Sequence, residues 1–439
     1  MPIHLGLEGL TVPLLYFSGI LAVIAAMFWK PIVGLYYLVP LIPIQTVRYR
    51  LNEWPLGSSV VAIVLLAVTA GLIRRGETCF PSTPWSKLLR VYCIFLTISY
   101  LIGSAYLGSF SIAWGDPRFM ELRDYMMMPF LLCLTAACAK DKKQIAILIA
   151  LMCLSGLALN RSFWNTVSGR DFSVYSDDLR DQGGMGYAGV NGLAAFEAQF
   201  AIFLLAMGIS QIKMLFRIAY LSLSGFSAMC LMYSLSRGGY VAFAAGMVFL
   251  GLVKQRLLLV WIVVFAFVWT AVLPNAVTSR VTMTVDDSGE LDHSADTRLT
   301  LWEDAMQIFD SNPIVGTGFN TYAYMHRVGN YGDTHNIFIK VMIETGVIGL
   351  ALFLWLLART FFAGYRLFRS SENFFSAIGL GLAGWVLCSA VANLFGDRWT
   401  FLQVNGFLWV LAGLVAAASR IENASRSAET DAGEMALAA

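Results

Sequence analysis

Charge is what this chain has least of. Only 13% of its 439 residues are charged, 58% are hydrophobic and the mean hydropathy is +0.68. A soluble domain carries about 25% charged residues, so this composition excludes one and indicates a polytopic membrane protein. The apolar runs approach the roughly 17–25 residues that span a bilayer. They must be helices, because a spanning helix satisfies its own backbone hydrogen bonds. Histidine is scarce, with four in the whole chain. The seven cysteines (Cys79, Cys93, Cys133, Cys138, Cys153, Cys230 and Cys388) are scattered, mostly within apolar runs. No CxxC pair, HExxH or Cys/His cluster suggests a metal site, and no GxxxxGK[ST] loop suggests ATP. No cofactor is therefore expected. A net charge of +2 gives no case for nucleic acid. Met1-Pro2-Ile3-His4 lacks a basic n-region, so the first helix is expected to stay in the protein.

What is present is a series of about thirteen apolar runs, near 11–29, 31–46, 55–73, 88–109, 125–139, 144–160, 188–210, 218–236, 238–253, 257–274, 335–356, 373–395 and 400–419. The expected fold is all-α, with about 12–13 transmembrane helices. The run 31–46 carries Pro31, Pro40 and Pro43 and reads as a broken or partial span. If spans alternate, seventeen basic residues fall on one face and twelve on the other, with Lys340 inside a span. The richer face is cytoplasmic by the positive-inside rule. The expected layout is membrane helices over 1–274 with an external loop at 161–187, a long external loop at 275–334, membrane helices again over 335–419, and a disordered cytoplasmic tail at 420–439. All twelve basic residues on the external side are Arg and none is Lys. Guanidinium groups hold phosphate in a planar, bidentate way that ammonium cannot. Snorkelling and pairing with nearby acids is the other reading of the same arginines.

A few polar residues stand out. His335, in Gly332-Asp333-Thr334-His335-Asn336, sits where the long loop gives way to an apolar run. It fits a general base, a donor to an oxyanion or a helix-end hydrogen bonder. Glu344 follows about 2.5 helical turns later. Arg237, in Ser236-Arg237-Gly238-Gly239, lies between two apolar runs joined almost without a loop, where charge is costly and its default reading is functional; an interfacial turn is the competing one. Residues Asp296 to Asp310 place Leu299, Trp302, Met306 and Phe309 at spacings of three and four. That is an amphipathic helix lying over the membrane surface or a cavity, capped by Asp296 or Thr297. Arg298 opens it, and a cation there is mildly unfavourable unless an anion is near. Arg180 precedes a glycine-rich approach to Asn191, with Asp178 and Asp181 as competing partners. Glu197 is a carboxylate within a span, either orienting an arginine, acting as a base or pairing across helices.

The ordered series Ser236-Arg237-Gly238-Gly239, Arg298-Leu299-Thr300-Leu301-Trp302, Pro313-Ile314-Val315-Gly316-Thr317-Gly318, His335-Asn336 and Glu344-Thr345-Gly346-Val347-Ile348-Gly349 resembles the O-antigen ligase/Wzy-type polymerase superfamily. The likeness covers about 180–350. Trp29-Lys30-Pro31-Ile32-Val33-Gly34-Leu35 is also similar to exosortase-associated O-glycosylation ligases. One departure is Ala188-Gly189-Val190 before Asn191, where relatives often carry Pro. The resemblance implies a metal-independent glycosyltransferase of GT-C type in the bacterial inner membrane, with its active site on the periplasmic side. Its donor would be an undecaprenyl-pyrophosphate-linked glycan and its acceptor a glycan or glycolipid hydroxyl. Carried over residue by residue, it implies catalytic His335 and Arg237, with Arg298, Arg180, Trp302 and Glu344 binding substrate. Ligation to lipid A-core and polymerisation of an O-antigen or exopolysaccharide on a lipid-linked repeat both fit. Transport of a lipid-linked or anionic solute is a reading from another class; it predicts charges near the membrane midplane rather than at its outer boundary.

Overall fold

The computed structural model describes residues 10–109, 116–283, 293–329 and 331–438. Among them every regular element is helical. The first seven α-helices are α1 (Thr11–Phe28), α2 (Ile32–Leu38), α3 (Gln45–Tyr49), α4 (Val60–Arg74), α5 (Ser86–Tyr106), α6 (Pro117–Cys138) and α7 (Lys142–Val167). Five more run to the start of the long loop: α8 (Gly189–Ser210), α9 (Met214–Tyr233), α10 (Arg237–Val253), α11 (Leu257–Val272) and α12 (Asn275–Thr282). The last five are α13 (His293–Ser311), α14 (Tyr322–Met325), α15 (Ile337–Phe368), α16 (Asn373–Ala392) and α17 (Leu402–Ala438).

Each expected apolar run is helical, and all but 31–46 fall mainly on a single helix. Among the described residues, nine helices have both the length and the apolarity of a full span, and a tenth span exists if α11 and α12, bent by 117°, are taken together. The stretch Ile32–Leu41 and α10 are apolar but shorter. Proline explains the first: the run breaks into α2 and α3 around Pro40 and Pro43. Charge sets α6 apart, since Arg118, Glu121, Arg123 and Asp124 all fall in its first eight residues. The polar tail expected to be disordered is instead helical as far as Ala438, continuing α17. Its alanine-rich sequence has high intrinsic helix propensity.

The core is built around α8, which is buried on nearly all sides. Phe196, Phe200 and Phe203 pack edge-on against Trp385 of α16, and the first two also against Phe407 of α17. At the other extreme α11 buries no residue, and Phe267 on it is 83% exposed. A helix with an apolar, unburied surface is one that faces lipid.

The long loop is anchored to the membrane helices by backbone. Helix α15 breaks at Gly346, whose φ of 65° is a left-handed conformation. The break leaves carbonyls without an intrahelical donor, and the 313–318 segment supplies one to each: Thr317 N–H donates to Ile343 O (3.0 Å) and Gly318 N–H to Glu344 O (2.7 Å). In return Val347 N–H donates to Pro313 O (2.9 Å). A β-carbon on Gly346 would lie 2.1 Å from Ile314 O, and one on Gly316 2.3 Å from the Glu344 carbonyl carbon. The two glycine-rich motifs of the sequence are thus the two halves of one backbone junction.

Helix α13 lies over α15, with its buried face formed by Leu301, Ala305 and Ile308 against Tyr322 and Ile343. This corrects the expected face. Trp302 and Phe309 are partly buried, but Leu299 and Met306 are exposed, at 45% and 37%. The apolar stripe is wider than the side that packs, and the small Ala305 permits the close approach. The start is corrected too: α13 begins at His293, so Asp296 lies in its first turn and neither Asp296 nor Thr297 caps it.

Candidate active site

Two cavities flank the segment 331–336. The first, of about 580 Å³, gathers five arginines and one histidine: Arg180, Arg237, Arg280, Arg298, Arg398 and His335. They come from six separate parts of the chain. Arg180 lies in the loop before α8, Arg237 begins α10, Arg280 is on α12, Arg298 is on α13, and Arg398 and His335 lie in the loops before α17 and α15. Four sequence-predicted residues therefore meet in one chamber. Arg280 and Arg398 join them; their signal in sequence was membership of the lysine-free external set.

Local structure fixes each group. Asn191, in the first turn of α8, accepts at its side-chain oxygen from Arg180 Nη2 (3.1 Å) and from Ser236 Oγ (2.9 Å). It ties the Arg180 loop to the Ser236-Arg237 turn, so the Asn of the glycine-rich approach has a structural task. Arg180 also faces Asp177 at 3.8 Å, a residue whose side chain is 81% exposed. Leu235, just before this turn, has a left-handed φ of 56°. Gly238 and Gly239 follow, packed against Phe395 and Ala194. Arg237 donates to the carbonyl of Met283. Arg280 is buried at 8% exposure and stacks over Tyr175 at 5.1 Å. Arg398 donates to the Asp397 carbonyl at 2.8 Å and lies over Phe401 at 5.7 Å.

His335 is held on both sides. Its φ is 51°, and its backbone N–H donates to Asp333 Oδ1 at 2.7 Å. The same carboxylate oxygen lies 2.6 Å from its Nδ1. Arg398 faces the other oxygen at 3.8 Å. Burial by itself pushes the Asp333 carboxyl up, but the hydrogen bond and charge of His335, with Arg398 and Lys340 nearby, hold it well below the usual carboxylate range. In the neutral imidazole a carboxylate at Nδ1 places the proton there and leaves Nε2 as the acceptor. Asn336 then caps α15, accepting from Phe338 N–H (3.0 Å) and Ile339 N–H (3.3 Å).

Two predicted residues lie elsewhere. Trp302 is outside the arginine-lined wall; its indole N–H donates to Thr334 O at 3.0 Å, so it clips α13 to the His335 segment. Glu344 is 4% exposed, and its carboxylate accepts from Asn320 N–H (2.9 Å) and Tyr322 N–H (3.2 Å). It pins the loop and lines the second cavity. Glu197 is fully buried and lines neither; with the Asn160 amide nitrogen turned toward it, the two are 2.7 Å apart. Asp333 is the residue that sequence reasoning passed over. The sign of it was an acid two positions before the singled-out histidine. No group of three or more His, Cys, Asp or Glu side chains among the described residues is arranged to hold a metal ion.

Guanidinium groups converging on one chamber make a site for a polyanion, above all a phosphate ester. A histidine with a free acceptor nitrogen at its edge suits a proton transfer beside that anion. Comparison with known proteins agrees in kind. The family model described as O-antigen ligase matches residues 222–354, a stretch that holds Arg237, Arg280, Arg298 and His335. No curated protein matches the chain.

Proposed function

We propose that this membrane protein, with its O-antigen ligase domain at residues 222–354, transfers a glycan from undecaprenyl pyrophosphate to an acceptor hydroxyl at the periplasmic face of the inner membrane. The observation that carries the reading is the convergence of Arg180, Arg237, Arg280, Arg298 and Arg398 with His335 on one cavity. Breaking the bond between the anomeric carbon and the pyrophosphate oxygen puts negative charge on the leaving group. Guanidinium groups already in place stabilise that charge without reorganising. The acceptor oxygen forms the new bond at the anomeric carbon with inversion. Its proton passes to His335 Nε2, and undecaprenyl pyrophosphate leaves. Asp333 holds the imidazole in the tautomer this needs and stabilises the imidazolium that results.

In the ligase form of the reaction the acceptor is lipid A-core. In the polymerase form it is a lipid-linked repeat. The deciding experiment is reconstitution of the purified protein with lipid-linked oligosaccharide and both acceptors in parallel. Transfer to lipid A-core alone is the expected result. Transfer to the repeat alone makes the protein a polymerase, and the absence of binding to undecaprenyl pyrophosphate overturns the reading altogether.

A further inference from the structure

The second cavity, of about 400 Å³, lies across a thin partition from the first. Gly332 and Asp333 line it, while Tyr331 and His335 line the arginine cavity. Asp397 and Trp399 line it, while Gly396 and Arg398 line the other. Two short stretches of chain thus form the wall, with near-alternate residues facing opposite chambers. The volume is within the range of small-molecule sites, about 300–1,000 Å³.

The two chambers have opposite charge. Glu121, Asp124, Asp333, Glu344 and Asp397 line the second, and Lys340 is the one basic residue among its lining. Lys340 is already engaged, with Nζ 2.6 Å from Asp397 Oδ2. Asp124 has Arg123 beside it at 2.8 Å. Glu121 lines the cavity and is exposed. Asp397 is 3% exposed, and its Oδ1 is buried with no hydrogen-bond partner among the described residues. A buried carboxylate oxygen without a donor is costly, and a ligand hydroxyl would supply that donor. The floor is aromatic: Phe319 stacks on Tyr125 at 6.1 Å, and Trp399 donates to the Tyr125 hydroxyl at 2.6 Å.

A pyrophosphate is repelled from such a chamber, so its ligand differs from that of the arginine cavity. Carboxylate acceptors over aromatic surfaces suit a ligand rich in O–H donors with apolar C–H faces. We propose that this cavity is the acceptor subsite, taking an uncharged, hydroxyl-rich sugar of the acceptor glycan. This rests on the transfer reaction proposed above. Its carboxylates accept from the sugar hydroxyls, and the hydroxyl to be glycosylated passes beside Asp333 to His335. The charge of the two chambers then sorts the substrates: the anionic donor to one side, the neutral acceptor sugar to the other.

Glu121→Arg and Glu121→Gln test this in the full-length protein in lipid nanodiscs, because Glu121 is exposed and its replacement leaves the core intact. Two readouts are needed: KM for lipid A-core and for a lipid-linked repeat in the transfer assay, and affinity for undecaprenyl pyrophosphate. Glu121→Arg is expected to raise the KM of the working acceptor at least tenfold and Glu121→Gln about threefold. Affinity for undecaprenyl pyrophosphate should stay within twofold of the unaltered protein. An unchanged acceptor KM in Glu121→Arg overturns the proposal, and so does a parallel loss of undecaprenyl pyrophosphate affinity. If the unaltered protein neither binds undecaprenyl pyrophosphate nor transfers glycan, the transfer reading fails and this proposal falls with it.

Discussion

Asp333 Oδ1 stands 2.6 Å from His335 Nδ1 and also accepts the His335 backbone N–H at 2.7 Å. One carboxylate oxygen therefore sets both the backbone and the ring of the residue proposed to take the acceptor proton. Asp333→Asn keeps the size and removes the charge. Transfer is expected to fall about 10²–10⁴-fold, the range for loss of general acid–base assistance. Donor KM should be unchanged, and the acidic limb of the pH–rate profile should move. Steady-state kinetics across pH checks all three; an Asp333→Asn variant with full kcat and the original profile rules the positioning role out.

The same pair makes stability depend on pH in a definite direction. The folded carboxyl is held below its ordinary value, and the unfolded one titrates near 3.9. The stabilisation is complete above the unfolded value and is lost as pH falls toward the folded one. Thermal unfolding in detergent should show a decline in Tm beginning below about pH 5. Asp333→Asn should remove this part of the decline.

Arg237→Ala and Arg298→Ala should each lower transfer about 10²–10³-fold, the cost of removing one pre-placed donor to a developing anion. Membrane insertion should be unaffected. Arg237→Lys keeps the charge but not the fork geometry, so it should recover only a minor part. Equal activity in the Lys variant would show that charge alone is needed.

Lys340 and Asp397 form a buried pair at 2.6 Å, with side-chain exposures of 11% and 4%. Lys340→Met leaves a buried carboxylate without its partner and is expected to cost about 3–5 kcal/mol. The double change Lys340→Met with Asp397→Leu should regain most of that stability, because an apolar pair of similar volume replaces an ionic one. Denaturation midpoints of the three variants decide it.

Gly346→Ala should be more damaging than an ordinary glycine replacement. It combines a φ of 65° with a β-carbon 2.1 Å from Ile314 O. Loss of folded protein on size-exclusion chromatography is the expected result. A normal elution profile with normal activity would show that the junction between the loop and α15 can shift.

Much of the architecture was legible because the bilayer imposes it. A long apolar run can only be a helix, and Pro40 and Pro43 marked where one run breaks. The site was partly legible too. Arg180, Arg237, Arg298 and His335 were singled out on local grounds and meet in one cavity. Trp302 and Glu344 were singled out too but lie outside the arginine cavity: Trp302 donates to Thr334 O, and Glu344 accepts from Asn320 N–H while lining the second cavity. Nothing local separates a tryptophan that stacks on a ligand from one that donates to Thr334 O. The buried face of α13 was misplaced by about one position, because an apolar stripe wider than the contact leaves the choice to the partner helix.

The sequence by itself determined a helical membrane protein with a long polar segment, whose Lys and Arg positions are all arginine, and a histidine at its end. Those follow from hydropathy and charge, which act residue by residue. Only the tertiary structure decided that five arginines from five parts of the chain share one chamber. It alone divided that chamber from an acidic one across a thin wall. Such relations depend on which distant segments come together, and that is fixed by packing around α8 and by the backbone junction at Gly346, which no local pattern encodes.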